Sequence, residues 1–247
     1  MTLRLVALAL VLAIPARAQT DQGSIEGTVA DSSGAVVIGV TLHARNLDTS
    51  ATLATVTDEQ GHFDFLVLPV GTYDISAGRE GFATLIYREV VVTVGARINL
   101  PLTLQLAARA ERVVVHGETP LLETRRSQMS STVDQRLISS LPVNGRNFAD
   151  FATLVPGVSS TGSGVNFAGQ RGLNLMLVDG TDDHNTFYGI LMGTPPSPYQ
   201  FSLEAVQEFQ VNVNAYSAEI GRAGAGVINT VTKSGTNEFH GNLFWYF

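Results

Sequence analysis

The stretch TVTDEQGHFDFLVLPVGTYDISAG, residues 55–78, decides how the first half of the chain is read. Apolar and polar side chains alternate with period two, the pattern of a strand that buries one face and wets the other. Asp58-Glu59-Gln60-Gly61 and Leu68-Pro69-Val70-Gly71 interrupt that alternation with the short polar or φ-positive positions that hairpins need. Strands are therefore expected over 62–67 and 71–78. Working outward, the same pattern marks strands over 24–29, 39–46, 54–57, 87–94 and 98–106, and Asp31-Ser32-Ser33-Gly34 supplies a further turn. The last strand is the clearest, with Ile98, Leu100, Leu102, Leu104 and Leu106 on one face. Six or seven short strands in about ninety residues predict a β-sandwich.

Composition agrees with strands and turns. Of 247 residues, 45% are hydrophobic and only 15% charged, with 24 glycines, a profile that suits a charged helical bundle poorly. The chain has no cysteine, which excludes disulfides, iron–sulfur clusters, thiolate zinc sites and cysteine nucleophiles. With 15 basic against 22 acidic residues and a net charge of −7, it lacks the means to neutralise a row of phosphates, so no nucleic-acid partner is expected. Lys233 is the only lysine, and no basic cluster is longer than Arg125-Arg126.

Residues 1–18 differ from the rest. A basic start ending at Arg4, an unbroken apolar run from Leu5 to Ile14, a break at Pro15 and the small-residue pattern Ala16-Arg17-Ala18 read as a secretory signal peptide cut after Ala18. Ten apolar residues fall short of the roughly 30 Å of hydrocarbon that a membrane helix must cross. Losing Arg4 and Arg17 takes the net charge from −7 to −9.

Beyond residue 108 the pattern changes. Glu111, Arg112, Val113, Val114 and Val115 form a brief apolar strand with polar flanks. Helical spacing over 132–141 puts Val133, Leu137, Ile138 and Leu141 on one side, and Pro142 ends that helix. A second short helix is expected over 147–154. Residues 158–167 read as a flexible Ser/Gly stretch, 174–178 as a strand before the turn Asp179-Gly180, and 181–200 as long loops. A short helix or turn over 203–209 precedes strands over 210–214 and 227–232. Residues 240–247 alternate again and are rich in aromatics, as in a transmembrane barrel strand with its interfacial belt.

These segments carry two resemblances. GTVADSSGAVVIGVTL from Gly27, TVTDEQGHFDF, LPVGTYDISA and Gly81-Phe82 together resemble the carboxypeptidase regulatory-like domain, a small Ig-like or carbohydrate-binding-like sandwich. Its signature residues serve folding, so it identifies a scaffold and implies no peptidase activity. LPVNGRNF from Leu141, LVPGV from Leu154, GQRG from Gly169, LMLVDG from Leu175, VQEFQV from Val206 and YSAEIGRAGAGVINTVTKSGTN from Tyr216 resemble the plug domain of TonB-dependent outer-membrane transporters, in the Oar-like group. The fold expected is thus mainly β: signal peptide 1–18, β-sandwich 19–108, an α+β plug-like domain 109–237, and at 238–247 the first strand of a barrel whose other strands are missing, as in a truncated product.

The resemblance implies a function without catalysis: plug gating of ligand uptake at the outer membrane, with the sandwich on the periplasmic side. It also implies a TonB-like energy-coupling partner. Glu111 to Val115 lie where such receptors carry a TonB box, a segment that adds as a strand to the coupler's sheet edge; the open alternative is the plug's own first strand. A different class of function also remains open, a secreted module whose sandwich holds carbohydrate or another polymer.

Catalytic constellations fail on spacing. His43, His62, His116, His184 and His240 are scattered, without a zinc-hydrolase pattern. Gly162-Ser163-Gly164 lacks the outer positions of a nucleophile elbow. Thr232 stands where a phosphate loop ending in Lys233-Ser234 requires glycine, and the glycines at 221, 224 and 226 read better as sites of close packing. Asp179, Asp182 and Asp183, with Asn185, offer clustered oxygens of the kind Ca²⁺ takes, but their spacing fails the EF-hand pattern and Asp-Gly is a common turn. Phe187, Tyr188, Tyr199 and Phe201 could stack on a ligand or pack within a loop. No cofactor is expected.

Overall fold

The computed structural model describes residues 22–107, 112–116, 130–133, 135–140, 148–161, 164–170, 174–185, 190–191, 202–213, 220–221 and 223–241. The leader, Glu111, the aromatics at 187, 188, 199 and 201, and the stretch 242–247 fall outside them. Residues 238–241, expected to begin a barrel strand, are described and are not in a strand.

The architecture is mainly β, with mixed sheets. The first sheet centres on β1 (Gln22–Asp31), which pairs antiparallel with β4 (His62–Pro69). On its other side β1 pairs in parallel with β7 (Arg97–Asn99) and then with β8 (Leu102–Leu104). The single strand expected over 98–106 is therefore two. Pro101 has no N–H to offer the ladder, so the pairing with β1 lapses there and resumes beyond it. Ile98, Leu100, Leu102 and Leu104 are buried as expected, whereas Leu106 is exposed.

The second sheet runs β3 (Thr52–Val56), β2 (Thr41–Asn46), β5 (Gly71–Gly78), β6 (Thr84–Val92), β9 (Arg112–His116). Every neighbour in it is antiparallel except β6 and β9, which run parallel. One core lies between the two sheets, built from Ile25, Val29, Leu42, Phe63, Phe65, Tyr73, Ile75, Ile98 and Leu104 among others. Phe63 and Phe65 meet edge to face at 6.2 Å. Tyr73 is buried, yet its hydroxyl donates to the Pro69 carbonyl at 2.8 Å, so the ring enters the core without stranding a polar group. Gly27 allows the β1 backbone to lie against the segment between β7 and β8. A Cβ there would sit 2.1 Å from the Leu100 carbonyl oxygen and 2.9 Å from the Phe63 ring.

The remaining described strands form a second body. Its five-stranded sheet has the order β10 (Ser130–Val133), β17 (Val206–Val213), β18 (Gly226–Thr232), β13 (Asn174–Val178), β14 (Thr181–Asp182). Its strands are antiparallel except β13 and β18, which are parallel. Two small hairpins, β11 (Val158–Thr161) with β12 (Gly164–Phe167) and β15 (His184–Asn185) with β16 (Ile190–Leu191), complete the strands.

Several expectations are corrected here. The helix expected over 132–141 is a strand followed by the short helix α1 (Gln135–Ser140). Ser130 to Val133 pair with β17, and a β-branched pair such as Thr132-Val133 suits that extended backbone. The stretch over 158–167, expected to be flexible, is the β11–β12 hairpin, whose Val165 and Phe167 reach the core. The second short helix is a 3-10 helix, Phe148–Leu154, and its Phe151 packs 6.1 Å from Phe209. Gly226 lies against the Phe167 ring so closely that a Cβ would fall 2.2 Å from a ring carbon.

Candidate functional site

The segment expected to be either an energy-coupling box or the plug's first strand is placed on the sandwich. Arg112 to His116 pair with Thr84 to Arg88, so β9 is the edge strand of the second sandwich sheet. Val113 and Val115 are half-buried and pack on the sandwich core opposite Leu85 and Tyr87, while Arg112 and Val114 are exposed. The sandwich sheet thus runs past the boundary expected at residue 108. The apolar run that made this stretch look like a strand lies along the β6 edge, with Val113 and Val115 turned to the core.

A bulge lies beside that pairing. On the far side of β6, Tyr73 pairs with Val90 and Ile75 with Tyr87, so Asp74 faces two residues, Arg88 and Glu89. Glu89 takes φ 59°, and its N–H donates to the Asp74 carboxylate at 3.2 Å. The last described pair of the β6–β9 ladder, Arg88 with His116, adjoins this kink. β9 leaves its outer backbone edge without a strand neighbour among the described residues, the kind of edge that accepts a strand from another chain.

The two bodies meet at the turn after β6. The Val94 N–H donates to the Glu208 carboxylate, and Gln210 Nε2 donates to the Val94 carbonyl at 3.1 Å. Asn212 Nδ2 donates in turn to Gln210 Oε1 at 3.2 Å. Glu208, Gln210 and Asn212 alternate along β17 opposite the apolar Phe209, Val211 and Val213, and all six are buried. Both faces of this strand are therefore covered, and the polar one is covered where Val94 docks. A second contact joins the bodies: Asn237 donates from its backbone N–H to the Asp48 carbonyl at 3.3 Å and from Nδ2 to the Thr49 carbonyl at 2.9 Å. Sequence reasoning missed Glu208 and Gln210: a short helix or turn is expected over 203–209, whereas only Leu203–Ala205 is helical and β17 already begins at Val206.

The oxygen-rich turn has a structural use. Asp179 adopts φ 49°, and both of its carboxylate oxygens accept at 2.8 Å from Thr232, one from the N–H and one from the hydroxyl. It staples the end of β13 to the end of β18. Among the described residues no group of three or more His, Cys, Asp or Glu is placed to hold a metal ion, so Asp179, Asp182 and Asp183 are not brought together as a Ca²⁺ site. Of the histidines, His62 Nδ1 shares a hydrogen bond with Thr28 Oγ1 at 3.0 Å, and His240 lies 3.9 Å from Glu238 on the surface. The Asp31 carboxylate is held below its usual range, first by the Ser33 hydroxyl and then by the backbone N–H groups of the turn. No helix among the described residues is long and apolar enough to cross a membrane, which leaves open crossing by strands.

Comparison with known proteins adds two kinds of likeness. Residues 24–105 match the carboxypeptidase regulatory-like domain family. Over 233 residues the chain is 31% identical to the TonB-dependent transporter Oar of Myxococcus xanthus, an alignment that takes in 90% of this chain and 21% of that protein. The chain therefore spans about one fifth of the length of its curated relative. Solved structures overlap it less well. A putative carbohydrate binding protein from Bacteroides uniformis aligns at 18% identity and TM-score 0.29, over 33% of this chain and 40% of the other. A 3-chlorocatechol 1,2-dioxygenase from Rhodococcus opacus aligns at 13% identity and TM-score 0.30, over 35% and 60%.

Proposed function

We propose that this chain is the sandwich-and-plug portion of a TonB-dependent outer-membrane transporter, and that it works mechanically and without catalysis. The observation that carries the proposal is the 31% identity to such a transporter along 90% of this chain, which spans the regulatory-like sandwich and the second body in one alignment. A further point supports a non-enzymatic protein: the curated relative is a transporter.

In this reading residues 1–18 direct export, the sandwich faces the periplasm and the second body gates a barrel. Glu111 to Val115 form the coupling segment. Ligand arriving from outside makes the segment available, a TonB-type coupler adds it to its own sheet edge, and tension then rearranges the plug. The next described strand after β9 is β10, an edge strand joined to its sheet through four residue pairs, so tension reaches the gate at its periphery.

The absence of cysteine provides the test. A single Val114→Cys change in the full-length protein, expressed beside an energy coupler that carries one cysteine on its strand edge, is expected to give a disulfide-linked pair in energised cells. The protein itself is expected in the outer-membrane fraction. If the protein reaches the outer membrane and cysteines scanned through 111–115 give no cross-link, the coupling role of this segment is wrong.

A further inference from the structure

We propose that the sandwich stores the coupling segment: the β6 edge and the energy coupler compete for Arg112 to Val115. This deepens the functional reading above and rests on it. A segment that must add to a partner's sheet needs its own backbone edge and a set of side chains that tolerate the partner's surface. Here one of its edges is already spent, and although the outer edge is open, Val113 and Val115 are withheld from a partner until β9 leaves. Thr84 to Arg88 hold Arg112 to His116 in register, Val113 lies opposite Leu85 and Val115 opposite Tyr87, and both valines are half-buried on the core.

The store is held by parallel pairing, which is less stable per residue than antiparallel. Among the described residues the ladder has five residue pairs, the last of them Arg88 with His116, beside the bulge at Glu89 whose N–H donates to the Asp74 carboxylate. β9 is also the outermost strand and can leave without any other strand of the sheet being parted. Its departure bares Tyr87, the register partner of Val115, together with the β6 backbone edge. The coupler must therefore offer a better edge than β6 does, and the sandwich sets the threshold at which coupling begins.

The experiment uses the whole chain, a synthetic peptide of residues 109–118 and the purified periplasmic domain of a TonB-type coupler as the probe. Thr84 and Arg112 are exposed register partners, and neighbouring strands lie about 4.8 Å apart, within the range a disulfide spans. The double variant T84C/R112C in this cysteine-free chain is thus expected to lock β9 onto β6 when oxidised and release it when reduced. The coupler is expected to bind the peptide, to bind the reduced chain about tenfold or more weakly than the peptide, and to lose measurable binding to the oxidised chain, with recovery on reduction. Tyr87→Ala, which removes the cover over Val115, is expected to raise coupler binding severalfold and to speed amide exchange across 112–116. Equal binding by peptide, reduced chain and oxidised chain would overturn the store while leaving the coupling segment intact. Failure of the peptide itself to bind would overturn the coupling role, and the store with it. Amides of 112–116 that exchange in the wild-type chain as fast as in the peptide would overturn the store whatever the coupler does.

Discussion

Single atoms fix much of this chain. Gly226 touches the Phe167 ring, which is fully buried in the core of the second body and has no room to withdraw. Gly226→Ala is expected to destabilise the second body by about 1–3 kcal/mol, the usual cost of overpacking, seen as a lower urea midpoint. A Cβ at Gly221 would meet nothing within 4 Å, so Gly221→Ala is the matched control with little expected effect. At the surface, Asp31 shows what a turn does to a carboxylate. Its oxygen accepts from the Ser33 hydroxyl at 2.6 Å and from the N–H groups of Ser33 and Ala35. These donors favour the ionised form, so its folded-state pKa lies below that of the unfolded chain. The stabilisation is therefore present above the unfolded value and is lost as pH falls through the folded one. An NMR titration is expected to find the Asp31 midpoint below those of Asp residues outside such turns, and Ser33→Ala is expected to move it up. An unshifted midpoint would mean that the turn is not closed in solution.

At the scale of elements, β9 decides how far the sandwich extends. Val113 and Val115 are half-buried and Val114 is exposed, so position in the strand separates their costs. Changing Val113 and Val115 together to Ser is expected to cost about 1–3 kcal/mol, because each loses part of the burial worth roughly 1.5–3 kcal/mol for a fully buried valine. Val114→Ser is expected to stay within about 0.5 kcal/mol. Thermal melts of the sandwich transition read both, and equal effects at the three positions would place β9 off the sheet. The strand itself was legible in the sequence, as were β4, β5, β13 and β18. Its partner was not, because pairing is made by the backbone and the alternation of valines says nothing about which edge they join. The same limit explains the helix expected over 132–141. Val133, Leu137 and Ile138 recur at helical spacing, but Ser130 to Val133 gain more by completing the edge of β17 than by extending a six-residue helix. The Ser/Gly stretch over 158–167 misleads for a related reason, since its polar composition hides the Val165 and Phe167 that anchor a hairpin.

At the scale of the whole molecule, the sandwich and the second body are joined by a few polar contacts at well-defined atoms. One of them is buried: the Glu208 carboxyl accepts from the Val94 N–H, and Gln210 donates to the Val94 carbonyl. Removing the carboxylate with Glu208→Ala leaves a buried N–H without that acceptor, which is expected to cost about 1–3 kcal/mol. The change should loosen the junction more than either body, so limited proteolysis of the folded chain is expected to cut between the bodies faster while their separate melting transitions shift little. Cleavage at the wild-type rate would show that Glu208 does not hold the bodies together. None of this junction was visible beforehand, because the alternating polar residues of β17 carry the same pattern whether they meet water or another domain. The sequence pattern changes near residue 108, and β9, beyond that point, still pairs with the sandwich sheet.

The order of strands around β1 has a consequence for how the chain is made. β1 is the first described strand to leave the ribosome, yet it sits between β4 on one side and β7 and β8 on the other, and the last of these ends at Leu104. Until that residue is synthesised, one edge of β1 is not fully paired. The earliest strand therefore waits for the latest before its sheet can close. A nascent chain is at its most adhesive through that interval, and it is then, before folding is complete, that a holdase would have most to gain by gripping it.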